Sequence, residues 1–311
     1  MDWNKDGHLD ILSGCYWSEG AKAGHILMLA GKGCLDFAAA EAVTNSAGKP
    51  LENIQLTDGD NERQILTICT QQHAVDYDGD GDLDLVVGCF GSNFYLYENT
   101  GRNGEIALSE HPVELPIKST SYHSAPHLVD WDGDGDLDLL SGCADGGVII
   151  SENTGTRAKP EWAAFKQLIP PSSRHSQSTS KGEEIVPSPS TRIWATDWNG
   201  DGLLDLLVGD CATITNPKEG LDAAEYARRL KEHDDKMATL QQRQTSVYAE
   251  LARFEQAGKE IPQELRDKRS ELSAEFQKLY DELEEFQTST RTGFVWLYLR
   301  KPTAVSATSA N

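Results

Sequence analysis

Short apolar runs recur along this 311-residue chain, each ending in glycine: ILSG at 11–14, LVVG at 85–88, LLSG at 139–142 and LLVG at 206–209. Runs of this length, leucine-rich or β-branched and closed by a turn residue, predict strands. Each follows an acidic nonapeptide: DWNKDGHLD (2–10), DYDGDGDLD (76–84), DWDGDGDLD (130–138) and DWNGDGLLD (197–205). The residues ahead of the second, HAV, are also apolar and partly β-branched, so the acidic stretches join strand to strand. The repeat extends further. Residues 76–101 and 130–155 align without a gap and both end in Glu-Asn-Thr-Gly. Each unit therefore predicts strand, acidic loop, strand, glycine turn, strand, with a further strand in the variable linker. Repeated units of about four short strands point to an all-β fold of propeller blades, four repeats forming a partial or small ring.

One segment has a different period. Between LLDLLVGDC and GFVWLYLRKP, apolar residues return every three or four positions: Leu230, Met237, Leu240, Val247, Leu251 and Phe254, then Leu265, Leu272, Phe276, Leu279, Leu283 and Phe286. That heptad-like spacing predicts two helices, and the GKEIP connector at 258–262 predicts an antiparallel coiled-coil hairpin. His233, Gln244 and Arg269 fall on its seam and make it imperfect. The expected organisation is blades over 1–215, the inserted hairpin over 216–291, a returning strand over 292–301 and a disordered tail over 302–311.

The acidic stretches share the form Asp-x-(Asp/Asn)-x-Asp-Gly-x-Leu-Asp. Oxygen donors at positions 1, 3, 5 and 9, a carbonyl at 7 and a glycine at 6 describe a loop wrapped on one hard cation, and calcium takes six to eight such oxygens. The candidate ligands are Asp2, Asn4, Asp6, His8 and Asp10; Asp76, Asp78, Asp80, Asp82 and Asp84; Asp130, Asp132, Asp134, Asp136 and Asp138; and Asp197, Asn199, Asp201, Leu203 and Asp205, up to four Ca²⁺ ions in all. His8, Asp82, Asp136 and Leu203 enter through their backbone carbonyls. An EF-hand is excluded, because position 12 is Ser13, Val87, Ser141 or Val208 rather than glutamate and the flanks are strands.

These loops and their flanking strands resemble the FG-GAP/VCBS repeat, found in β-propellers of integrin α-subunit heads and of secreted bacterial proteins. The resemblance implies calcium at positions 1, 3, 5 and 9. Asn4 and Asn199 replace aspartate at position 3, and Lys5 replaces a glycine, so weaker binding is expected in the first and fourth loops.

The chain carries 50 acidic and 28 basic residues, a net charge of −22, and sixteen of the acids lie in the four loops. So negative a charge argues against nucleic acid and anionic membrane as partners, and no apolar stretch is long enough for a membrane span. Weak calcium sites suit an extracytoplasmic setting. No signal peptide is visible, and the first loop has no strand leading into it, so an N-terminally truncated chain is expected. Of the six cysteines, Cys15, Cys89, Cys143 and Cys211 recur after the loops, either as small packed residues or as a soft-metal arc; Cys34 and Cys69 are a candidate disulfide in an oxidising compartment. His73 and His127, with Trp194 in the equivalent place, are either packed residues or the lining of a site. Trp3, Tyr77, Trp131 and Trp198 at loop position 2 are either packing residues or platforms for sugar. Three functions follow: a protein- or glycan-binding module, with self-association through the hairpin; a lyase-like polysaccharide enzyme, whose groups would lie in the linkers holding His111, His123, Arg174 and His175; or a structural spacer.

Overall fold

The structure is a computed structural model that describes residues 1–15, 25–51, 69–101, 105–171, 177–178, 186–256 and 261–302. It is mostly β, with several small antiparallel sheets and two helices. Residues 303–311 of the tail predicted over 302–311, the candidates Arg174 and His175, and most of the helix connector lie outside the described residues.

Two compact units emerge, one holding the four acidic loops and their sheets, the other Thr213–Thr292 with Gln177–Ser178. In the first unit the first repeat gives β1 (Ile11–Ser13), β2 (Leu27–Leu29), β3 (Gly31–Gly33), β4 (Asp36–Phe37) and β5 (Glu41–Ala42), with sheet order β1-β2-β5 and a β3–β4 pair. The second gives β6 (Gln71–Val75), β7 (Asp84–Gly88), β8 (Asn93–Tyr97) and β9 (Val113–Lys118), a four-stranded sheet in sequence order. The third repeats it with β10 (Ala125–Val129), β11 (Asp138–Gly142), β12 (Val148–Ser151) and β13 (Lys166–Ile169). After β14 (Gln177–Ser178) of the second unit comes the fourth sheet, β15 (Arg192–Thr196), β16 (Asp205–Gly209) and β19 (Val295–Tyr298), ordered β15-β16-β19. Among the described residues no sheet closes on itself.

The near-continuous apolar runs are explained by burial on both faces. Successive side chains of a strand point to opposite faces. In β7, Leu85 and Val87 pack back into a cluster with Trp3, Ile26 and Val43 of the first repeat, whereas Val86 packs forward with Leu128, Leu137 and Leu139 of the third. In β11 the same division sends Leu139 back and Leu140 forward to Ala195, Leu206 and Val208 of the fourth. The second and third sheets are thus each sandwiched between their neighbours. Burying each such side chain is worth about 1.5–3 kcal/mol.

The second unit holds α1 (Ala223–Gln256) and α2 (Gln263–Phe286), flanked by β17 (Ala212–Pro217) and β18 (Gln287–Thr292), which form a small sheet with β14. These flanking strands were not visible in the helical periodicity. Asp222 caps α1 by accepting hydrogen bonds from Ala224 N and Glu225 N at 2.9 Å, the usual role of a short acidic side chain there. Leu240, Leu272 and Leu279 form the buried seam, with Met237, Val247 and Phe276 against it. His233 is buried as expected on the seam and Gln244 is half-buried, but Arg269 is exposed. The buried positions of α2 run in seven-residue steps, Leu265, Leu272, Leu279 and Phe286, and Arg269 lies off that line.

Candidate metal centre

Each acidic loop is folded by its own carboxylates. The position-1 aspartate accepts from loop amides: Asp76 from Gly79 N at 2.8 Å, Asp130 from Gly133 N at 2.8 Å and Gly135 N at 3.1 Å, Asp197 from Gly200 N at 2.7 Å and Gly202 N at 2.9 Å. Position 3 accepts from the amide of position 5, and position 5 from that of position 7, as in Asp80 N to Asp78 and Asp82 N to Asp80. These short turns draw the carboxylates toward a common centre. They require left-handed backbone at position 4, and there Gly79, Gly133 and Gly200 have φ of 85°, 84° and 77°, while Lys5 in the first loop adopts φ of 58°. A side chain in that region costs about 1 kcal/mol relative to glycine.

The position-9 aspartates are the anchors. All four are buried. One oxygen accepts from the position-2 amide: Trp3 N to Asp10 at 2.8 Å, Tyr77 N to Asp84 at 2.8 Å, Trp131 N to Asp138 at 3.0 Å and Trp198 N to Asp205 at 3.1 Å. The other accepts from the chain beyond: Gly31 N at 2.8 Å, Asn99 N at 2.7 Å, Asn153 N at 2.9 Å and Arg300 N at 2.8 Å, respectively. Asn99 and Asn153 are the asparagines of the two Glu-Asn-Thr-Gly stretches, so that motif ties the end of the third strand to the loop.

Oxygen donors come together in two loops. Asp76, Asp78 and Asp84 form one group and Asp130, Asp132 and Asp134 another, each with ligand atoms within 4.8 Å of one another. The electrostatics match such crowding. Burial pushes the Asp84 carboxyl up to about 6, with Asp78 and Asp80 adding to the rise and the amides of Asn99 and Tyr77 opposing it. Asp138 is raised by burial as well, and Asp136 by burial and then by Asp134, Asp132 and Asp130. A bound cation reverses this logic by favouring the ionised forms. An all-oxygen donor set of this kind fits a hard cation of the calcium type. The second loop is also flanked by cations of neighbouring repeats: Lys5 Nζ lies 2.6 Å from Asp82, and Arg157 lies 3.4 Å from the Asp76 carboxylate while donating to the Asp76 carbonyl.

The first and fourth loops differ at position 3. The amide of Asn4 donates to Asp6 at 3.0 Å and that of Asn199 donates to Asp201 at 3.0 Å. Each amide thereby occupies an oxygen of position 5 and brings no charge of its own.

The other candidates resolve into contacts between repeats. His73 and His127 are buried with ring centroids 4.3 Å apart, and Trp194 lies 5.0 Å from His127. His73 Nε2 donates to Leu128 O at 3.1 Å, and His127 Nε2 accepts from Ala195 N at 3.1 Å. Burial lowers both, His73 to about 4. Trp3, Tyr77 and Trp131 pack in the clusters between successive repeats. All six cysteines are thiols, Cys34 and Cys69 included.

Three residues that pattern reading passed over tie the repeats together. The hydroxyls of Thr70, Ser124 and Thr191 accept from Cys15 N at 2.8 Å, Cys89 N at 3.0 Å and Cys143 N at 2.8 Å, each from the preceding repeat. Their signal was present: each lies six residues before the first aspartate of its loop. The same crossings explain the glycine that ends the apolar run. A Cβ on Gly14, Gly88 or Gly142 would sit 1.8, 2.0 or 2.2 Å from the carbonyl oxygen of Thr70, Ser124 or Thr191.

A family model described as an FG-GAP-like repeat matches residues 76–141 and 130–208. Residues 76–208 are FG-GAP repeats. No curated protein matches the sequence. Among solved structures, a chain of the Photorhabdus luminescens Tc holotoxin pore aligns over 64% of this chain at 18% identity with a TM-score of 0.34. This chain spans 8% of that one. The FG-GAP repeats mark an interaction or structural module, and among the described residues no helix is long and apolar enough to cross a membrane.

Proposed function

We propose that the four acidic loops bind calcium, and that the sheets they join are propeller blades forming an extracytoplasmic interaction module for a protein or glycan ligand. The observation that carries this reading is the convergence of Asp76, Asp78 and Asp84, and of Asp130, Asp132 and Asp134, into groups of oxygen donors on loops that the FG-GAP pattern repeats. Asp2, Asn4, Asp6, Asp10, Asp80, Asp138, Asp197, Asn199, Asp201 and Asp205 complete the proposed ligand sets, with the carbonyls of His8, Asp82, Asp136 and Leu203. The propeller reading draws support from sheets that pack face to face in sequence order. The ion supplies positive charge that holds the loop carboxylates ionised and together.

The hairpin suits a partner-binding arm, since its apolar seam is satisfied between its own helices and Tyr248 and Tyr280 stand exposed on a charged surface. Calorimetric titration with calcium tests the metal reading, with heat and saturable sites expected and their absence overturning it. A glycan array beside an activity screen on acidic polysaccharides tests the ligand class. Cleavage of a polysaccharide would replace the binding-module reading with the lyase reading.

A further inference from the structure

The junctions between repeats use the same positions each time, and the fourth repeat presents those positions uncovered. In the second repeat the forward face is Tyr77, Val86, Phe94 and Leu96; in the third it is Trp131, Leu140, Val148 and Ile150. The strand registers Gly88↔Phe94, Gly142↔Val148 and Gly209↔Val295 place Trp198, Leu207, Val295 and Leu297 at the same positions in the fourth. Phe94, Leu96, Val148 and Ile150 are buried, whereas Trp198, Val295 and Leu297 are 60%, 74% and 42% exposed. Gly209 tells the same story. The glycines at its position in the other repeats are crossed by the following strand, but the nearest atom to a Cβ on Gly209 lies 3.8 Å away, in its own sheet.

The opposite end of the unit carries the other half of such a junction. Leu83 and Leu85 pack backward onto the first repeat, and Leu137 and Leu139 backward onto the second. Leu9 and Ile11 hold those positions in the first repeat and are 70% and 43% exposed. Among the described residues, the forward face of the fourth repeat and the backward face of the first are thus uncovered. Contiguous exposed apolar surface of this kind marks an interaction site.

We propose that these faces pair between copies of this chain, the fourth repeat of one copy receiving the first repeat of the next. The contact continues an interface the fold already makes three times, which is what specifies a second copy as occupant. It is heterologous, joining unlike patches head to tail. It is weaker than an internal junction for two reasons. Among the described residues no strand pairs with the free edge of β1 to bring a hydroxyl in the role of Thr70, so the contact has the apolar half of the interface without its hydrogen bond. Each copy also carries a charge of −22, so association strengthens as salt screens the repulsion, with a Debye length of about 8 Å at physiological ionic strength. The proposal concerns the sheet faces and stands apart from whether the loops hold calcium.

Sedimentation velocity of the full chain over a wide concentration range, at physiological salt with calcium present, tests it. The wild-type chain should associate reversibly, and Leu297→Asp and Ile11→Asp should each stay monomeric with an unchanged circular dichroism spectrum. Mixing those two variants should restore a dimer, because one retains an intact first repeat and the other an intact fourth. Tyr248→Ala with Tyr280→Ala should leave association unchanged. Val295→Asp serves in place of Leu297→Asp if the latter does not fold. A wild-type chain that is monomeric throughout overturns the proposal, as does association lost only on changing the hairpin tyrosines. So does a mixture that fails to restore the dimer, which would indicate a like-to-like contact.

Discussion

Asp84 serves its loop in two directions: its oxygens hold the amides of Tyr77 and Asn99 while its carboxylate stands beside those of Asp76 and Asp78. Removing it opens both the loop and the third strand. A glycine with a purely steric role offers a cleaner test. Gly142→Ala drives a methyl into the Thr191 carbonyl and should cost about 3 kcal/mol, the upper range for overpacking. Gly209→Ala meets nothing closer than 3.8 Å and should change stability by less than about 0.5 kcal/mol. Urea unfolding of the two variants measures the contrast, and equal effects would contradict the crossing geometry.

The buried histidines set a pH dependence. His73 has its pKa lowered from 6.5 to about 4 by burial. Below pH 6.5 the unfolded chain takes up a proton that the fold withholds, so stability falls as pH drops toward 4, by roughly 2 kcal/mol at pH 5. His127 acts in the same direction. Asp84, raised to about 6, works the other way in the metal-free protein, since its protonated form is favoured by the fold. Stability should therefore fall more steeply between pH 7 and 5 with calcium than with chelator. His73→Gln, which keeps a donor for Leu128, should flatten the profile; an unchanged slope would remove His73 from the account.

At the scale of elements, the hairpin leaves and returns through a closed neck. Asp210 N donates to Phe294 O at 3.1 Å, and Phe294 N donates to Asp210 Oδ1 at 2.8 Å. Beyond that neck β16 and β19 pair directly, from Leu206↔Tyr298 to Gly209↔Val295. Replacing residues 213–292 with a short glycine-containing turn should therefore leave the sheets folded. The helical signal at 222 nm should largely vanish while the melting temperature of the remainder stays within a few degrees. Loss of all cooperative unfolding would show that the repeats depend on the hairpin.

For the whole molecule the deciding quantity is the charge gathered in the loops. With calcium at a hundred times Kd, one occupied site adds about 2.7 kcal/mol, so chelation should lower the melting temperature markedly. Asp80→Ala or Asp134→Ala should cost more of that stabilisation than Asn4→Ala, because the loops with Asn4 and Asn199 already bring less charge to an ion. Identical melting curves with calcium and with excess chelator would defeat the metal reading.

The loops, the strand that follows each of them and the helical period could be taken from the sequence alone, because these are local matters. Asp130, Asp132 and Asp134 lie within one turn-rich stretch, and their spacing brings their oxygens together. Leu265, Leu272 and Leu279 repeat at a helical period that no strand can use. The tertiary structure alone decided which face of each strand meets which neighbour. Cys89 and Ser124 are 35 residues apart, and nothing local to either names the other. The glycine of LVVG reads as a turn in isolation, and its steric purpose exists only when the Ser124 backbone crosses it. In the sequence His73 and His127 read as either packed residues or the lining of a site, and folding assigns one to Leu128 and the other to Ala195. Local geometry follows from covalent connectivity and short-range sterics, whereas the partners across a junction are chosen by burial of surfaces that the chain brings together only when it folds.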